Sequence, residues 1–233
     1  MLALDKVIAK KLLAQDVGDK AKTAKRGNMI DSQMRRLIDP PLNRAGQKLA
    51  ATGLSANAMS AFGLLFGLAA AIAIYAGAFS LAFLLVVLNR LADGLDGAIA
   101  RATRKTDLGG FLDIIFDFCF YGAVPLAFAL HAPGHNALAA SVLLASFYLN
   151  GSAFLAFALF AQKHGLETAA QGQKSFYYLA GLAEGTETIL VFLCFCLWPQ
   201  HFSLIALAFA MLCLLSSLAR IMQVAHLLHS RGA

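Results

Sequence analysis

The chain has 233 residues, 59% hydrophobic and 14% charged, with a mean hydropathy of +0.68 and a formal net charge of +6. That balance excludes a soluble globular domain and predicts a polytopic, all-α membrane protein with no nucleic-acid partner. Cys119, Cys194, Cys196 and Cys213 all fall inside apolar runs without metal-ligand spacing, so they read as small hydrophobes rather than as disulfide partners or thiolate ligands.

Residues 1–27 are lysine-rich with little periodicity and are expected to form a basic cytosolic tail. No cleavable signal peptide is expected, because the first apolar run follows more than fifty mixed, basic residues. Over 28–51 the pattern changes: Met29, Ile30, Met34, Leu37, Ile38, Leu42 and Leu49 interleave with Arg35, Arg36, Arg44 and Lys48. This pattern predicts an amphipathic helix lying in the membrane interface, bent at Pro40-Pro41. Its cations suit an anionic leaflet at roughly 1 kcal/mol each.

Six apolar spans follow within a membrane domain over 52–226, at roughly 57–77, 81–101, 109–131, 137–161, 179–198 and 202–224, with a short tail over 227–233. Each is close to the ~20 residues that cross the hydrocarbon. Turns are expected at Gly77-Ala78-Phe79-Ser80, at His131 to Asn136 and at Trp198-Pro199-Gln200-His201, and none of the three contains Lys or Arg. Of nineteen Lys and Arg, eleven precede residue 50, and seven others fall on that same side, Arg101 and Arg220 near the ends of their spans, leaving Arg90 alone in the middle of one. The positive-inside rule therefore places both termini in the cytosol.

One stretch carries chemistry. Asp93, Asp96, Gly97, Ala100 and Arg101 share one face of a helix, and Gly109, Asp113 and Asp117 share one face of the next. Arg104, Lys105, Thr106 and Asp107 form a polar turn between them, so the helices run antiparallel, with Asp93 level with Asp117 and Asp96 level with Asp113. At 1.5 Å per residue Asp93 lies roughly 20 Å along a ~30 Å crossing, and Asp117 roughly 12 Å from the cytosolic end, so the pocket opens to the cytosol. Four carboxylates cannot share such a space without a positive partner. Oxygen-only ligands select a hard cation, Mg²⁺ or Mn²⁺, and four of them suggest two ions. Read instead as acids scattered over a solvated helix end, they would be costly at that depth.

The pattern D-x-x-D-G-x-x-A-R followed by G-x-x-x-D-x-x-x-D resembles the signature of the CDP-alcohol phosphatidyltransferases, matched at Asp93, Asp96, Gly97, Ala100, Arg101, Gly109, Asp113 and Asp117. The similarity extends over roughly residues 30–224. Two departures are visible: seven residues rather than the usual eight separate Arg101 from Gly109, and Ala56-Asn57-Ala58-Met59-Ser60 stands where Pro-Asn-x-x-Thr is common. The resemblance implies transfer of a phosphatidyl group from a CDP-alcohol lipid to a small acceptor hydroxyl, with release of CMP, in phospholipid biosynthesis. It implies that Asp93, Asp96, Asp113 and Asp117 hold metal, that Asp117 also takes the acceptor proton, and that Gly97, Arg101 and Gly109 receive the cytidine nucleotide. Ser60 would keep a hydroxyl near that nucleotide. A homodimer in a bacterial inner membrane, with membrane lipids around it and its site facing the cytosol, is also expected.

Other features keep two readings. Arg90 either snorkels, pairs with an aspartate one turn away, or takes part in function. The six histidines lack paired metal spacing, and the aromatic residues Phe111, Phe116, Phe118, Phe120 and Tyr121 read as packing. Glu184 and Glu187 either cap and pack or line an acceptor pocket. In the second case their charge favours an unphosphorylated acceptor, while Lys105, Lys163, Lys174 and Arg220 would favour a phosphorylated one. A cation transporter would use an acidic intramembrane site too, but it calls for ionisable groups near the midplane and interrupted helices. The N-D-x-x-D-x-x-x-D spacing of membrane prenyltransferases is not met by Asn89, Asp93 and Asp96.

Overall fold

The computed structural model describes residues 40–163 and 185–231, and these are helical and without strands. The helices are α1 over 40–51, α2 Ala56–Tyr75, α3 Phe79–Ala102, α4 Asp107–His131, α5 Pro133–Lys163, α6 Gly185–Leu197 and α7 Phe202–Arg231, with a 3₁₀ turn over Pro199–His201. The basic tail, the first part of the interfacial helix, Lys174 and Glu184 lie outside the described residues.

Local chemistry sets the boundaries. Ser55 starts α2 by accepting from the Ala58 amide at 3.2 Å, and Thr106 starts α4 by accepting from the Gly109 amide at 3.1 Å. Between α2 and α3 the chain reverses through Gly77, whose φ of 77° suits a residue without a Cβ. The break between α4 and α5 is a single residue, Ala132, shorter than the turn expected at 131–136. Pro133 cannot extend α4 but is well suited to open α5, and the Asn136 side chain donates to the Phe128 carbonyl at 3.0 Å, covering the end of α4.

Packing places α2 against α3 and α4, α5 against α4 and α7, and α6 against α3. A stripe of small residues lets α2 approach closely: Ser60, Gly63, Gly67, Ala70 and Ala73 are all buried. The Asn89 side chain of α3 donates to the Gly63 carbonyl at 2.8 Å, a polar contact kept out of lipid. Aromatic rings fill the centre. Phe120, Phe128, Phe192, Phe195 and Phe202 are fully buried, with Phe128 stacked on Phe202 at 4.4 Å between centroids. Of the aromatics expected to pack on the third span, Phe120 is in this core, whereas Phe111 and Phe118 are exposed.

Large apolar side chains such as Leu65, Ile72, Leu138, Leu159, Leu204 and Met211 face outward, as a lipid-facing surface requires. Among the described residues, α2, α4, α5 and the stretch Pro199–Met222 are long and apolar enough to cross a membrane. The remaining two predicted spans differ for separate reasons: α3 carries Arg90, Asp93, Asp96 and Arg101, and only 13 residues of α6 are described. The protein is an integral membrane protein built on an all-helical bundle.

Candidate functional site

A short connection at 103–106 joins the end of α3 to the start of α4, and acidic residues from the two helices come together. Asp93, Asp96 and Asp113 each offer a carboxylate oxygen, and the three atoms lie within 4.8 Å of one another. Asp96 is buried at 9% exposure, and its Oδ2 accepts from Ser60 Oγ at 2.6 Å. Asp93 is ion-paired with Arg90, three residues before it on the same helix. Asp113 is more open. Asp117, one turn further along α4, stands outside the tight group of three, and its Oδ2 accepts from the Tyr121 hydroxyl at 3.4 Å.

The nucleotide candidates Gly97 and Arg101 lie on α3 and Gly109 on α4. Gly97 lies one residue after Asp96, and a Cβ there would come within 3.3 Å of Arg101 Nη1. A Cβ at Gly109 would come within 3.1 Å of both Asn57 Oδ1 and Thr106 Oγ1, so the start of α2 closes on the start of α4 at this point. Arg101 is exposed and donates from Nε and Nη2 to Asn43 Oδ1 at 3.1 and 2.9 Å. It thereby ties α3 to α1, which also rests on α3 through Gly46, where a Cβ would be 2.5 Å from that of Ala98.

A cavity of about 730 Å³ opens beside Asp113 and Asp117. Asp113, Asp117 and Tyr121 line one part of it, and Phe147, Asn150, Gly151, Thr188, Cys213 and Arg220 line the rest. Arg220 is buried at 7% exposure, donates to the Asn150 carbonyl and side-chain oxygens at 3.3 and 3.4 Å, and lies over the Phe154 ring at 5.5 Å. Glu187 is exposed on the first turn of α6 and is absent from the cavity lining, as are Lys105 and Lys163.

Three groups named in the sequence take places that their spacing only partly foretells. Tyr121 carried a readable signal, since it stands four residues after Asp117 on a helix. Ser60 was noticed for the nucleotide, yet its hydroxyl is spent on Asp96. Arg220 is one of the four cations that the sequence offers for a phosphorylated acceptor, and of the described ones it alone is on the cavity lining. Three carboxylates converging without a histidine or thiol fit a hard divalent cation.

Comparison with known proteins places the chain in a family. Residues 54–229 match the family CDP-alcohol phosphatidyltransferase. Inner membrane protein YnjF of Escherichia coli (strain K12) is 44% identical over 193 residues, covering 83% of this chain and 94% of that protein. Archaetidylinositol phosphate synthase of Pyrococcus horikoshii is 38% identical over 87 residues, 37% of this chain and 46% of that one. Among solved structures, Mycobacterium tuberculosis phosphatidylinositol phosphate synthase (PgsA1) with CDP-DAG bound superposes with a TM-score of 0.60 at 20% identity, over 78% of this chain and 92% of that one. The same enzyme in complex with manganese and citrate gives a TM-score of 0.59 at 20% identity, over 78% and 88%. At that identity the likeness to the solved structures is one of fold.

Proposed function

The chain belongs to the CDP-alcohol phosphatidyltransferase family, and we propose that it transfers the phosphatidyl group of a CDP-alcohol such as CDP-diacylglycerol to an acceptor hydroxyl at the cytosolic face of a bacterial inner membrane. The observation that carries this reading is the convergence of Asp93, Asp96 and Asp113 within 4.8 Å. These residues hold Mg²⁺ or Mn²⁺, with Asp117 completing a site for two ions. When bound, the ions neutralise the diphosphate and stabilise the leaving CMP. Asp117 accepts the proton of the acceptor hydroxyl as its oxygen attacks the lipid-bearing phosphorus and the bond to CMP breaks. Tyr121 orients Asp117 through its hydrogen bond. Gly97 and Gly109 leave room for the cytidine against the backbone, and Arg101, held beside α1, contributes donors to phosphate.

The cavity running from Asp117 to Arg220 is the proposed acceptor pocket, and its charge bears on the acceptor class. An unphosphorylated acceptor was expected on the strength of Glu184 and Glu187. Glu184 lies outside the described residues, Glu187 is off the cavity lining, and the buried cation on that lining is Arg220. The proposed acceptor is a hydroxyl compound carrying a phosphate, with Arg220 on the lining as a donor that can reach such a group. The names of archaetidylinositol phosphate synthase and phosphatidylinositol phosphate synthase agree with that class.

The test is a transfer assay with purified protein, labelled CDP-diacylglycerol and Mg²⁺ or Mn²⁺, supplying glycerol 3-phosphate, inositol phosphate, serine and inositol separately. Lipid product and CMP are expected with a phosphorylated acceptor. Product from serine or inositol alone would overturn the acceptor class, and divalent-cation uptake into liposomes without CDP-alcohol binding would favour a transporter.

A further inference from the structure

Arg90 is the basic side chain that the sequence places near the middle of a span, and the proposed catalytic roles leave it unused. Among the described residues it is the cation paired with a carboxylate of the cluster, gripping Asp93 Oδ2 from one turn away. Its charge also lies within electrostatic reach of Asp113 and Asp117. Arg101 donates to Asn43 and Arg220 to Asn150, and neither of these hydrogen bonds is to a carboxylate of the cluster. Arg90 is thus positioned to act on whatever charge the aspartates hold.

We infer that Arg90 is a positioning residue that couples the divalent ion to the nucleotide: it opposes ion binding while the site lacks a diphosphate and favours the diphosphate once the ions are in place. This rests on the metal reading proposed above. The charge balance carries it. Four ionised aspartates and one guanidinium leave the cluster at three negative charges, and two divalent ions would overshoot this to one positive. A diphosphate bringing two negative charges then restores an excess of one negative. Without the guanidinium, the ions alone would reach neutrality and the diphosphate would enter against two uncompensated charges. With a single ion the cluster stays negative throughout, and the guanidinium still opposes the ion and favours the diphosphate. In a partly dehydrated site such differences are strongly felt. If Arg90 merely held Asp93 in a ligating pose, its removal would weaken ion binding, so the two roles predict opposite signs.

The experiment is Mn²⁺ titration of the full chain in lipid nanodiscs, following the free-ion paramagnetic resonance signal with and without CDP-diacylglycerol. Arg90→Gln and Arg90→Met, both neutral and the second of similar length, are expected to bind Mn²⁺ about tenfold more tightly than the parent without lipid nucleotide. They are also expected to lose most of the gain in Mn²⁺ affinity that CDP-diacylglycerol gives the parent. Arg90→Lys, which keeps the charge, should retain that gain. Unchanged or weakened Mn²⁺ binding in the neutral variants, or loss of the gain in Arg90→Lys, would overturn the coupling role. Asp113→Asn run alongside separates the two levels: retained Mn²⁺ binding there would overturn the carboxylate site itself.

Discussion

Ser60 reaches Asp96 from another helix, 36 residues away in sequence, with a short and buried hydrogen bond. A donor held on the carboxylate fixes which oxygen remains for an ion, and partners of this kind typically change metal affinity by about 10–100-fold. Ser60→Ala is therefore expected to weaken Mn²⁺ binding by about tenfold, whereas Ser60→Thr restores it; equal affinity in Ser60→Ala would show that the bond does not orient the ligand. The aspartates themselves were legible in the sequence because helix periodicity alone puts them on facing surfaces, and the three that converge include the pair placed level, Asp96 and Asp113. The direction of Arg101 was not legible. It depends on how α1 docks on α3 and brings Asn43 into reach, which no local pattern encodes.

Helices α2, α3 and α4 meet through small residues, and that tightness is what holds Ser60 against Asp96. A Cβ on Gly67 would come within 2.7 Å of the Phe120 ring, while one on Gly63 would meet the Ala92 Cβ at an ordinary 3.5 Å. Gly67→Ala must push a core ring aside and should cost about 1–3 kcal/mol. Gly63→Ala should be near neutral. Thermal unfolding of the two variants in detergent checks this, and equal melting temperatures would contradict the packing account. Helix positions were readable from hydropathy, and the ends of α2, α3 and α4 fall within a few residues of the expected spans. The α4–α5 junction was misjudged in length, because Pro133-Gly134 reads as a loop while the Asn136 side chain lets the chain turn through Ala132 alone.

For the protein as a whole, the distribution of Lys and Arg proposes a cytosolic site, and single-cysteine labelling can test that on a background with the four native cysteines replaced. Arg104→Cys, in the connection between α3 and α4, should react with a membrane-impermeant maleimide only from the cytosolic side. Ala78→Cys, in the turn between α2 and α3, should react only from the other side. Labelling of both from one side would contradict the orientation. The cavity joining the aspartates to Arg220 was beyond sequence reasoning, since it arises where α4, α5, α6 and α7 come together from distant parts of the chain. The central claim is that the converging aspartates carry a metal-dependent transfer from a CDP-alcohol, and release of CMP by the purified protein and its Asp113→Asn variant measures it most directly. With CDP-diacylglycerol and a phosphorylated acceptor, the parent chain should release CMP only when Mg²⁺ or Mn²⁺ is present, and Asp113→Asn should fall by at least about 100-fold while remaining folded in the membrane. CMP release that survives chelation, or an Asp113→Asn variant turning over at near the parent rate, would contradict it.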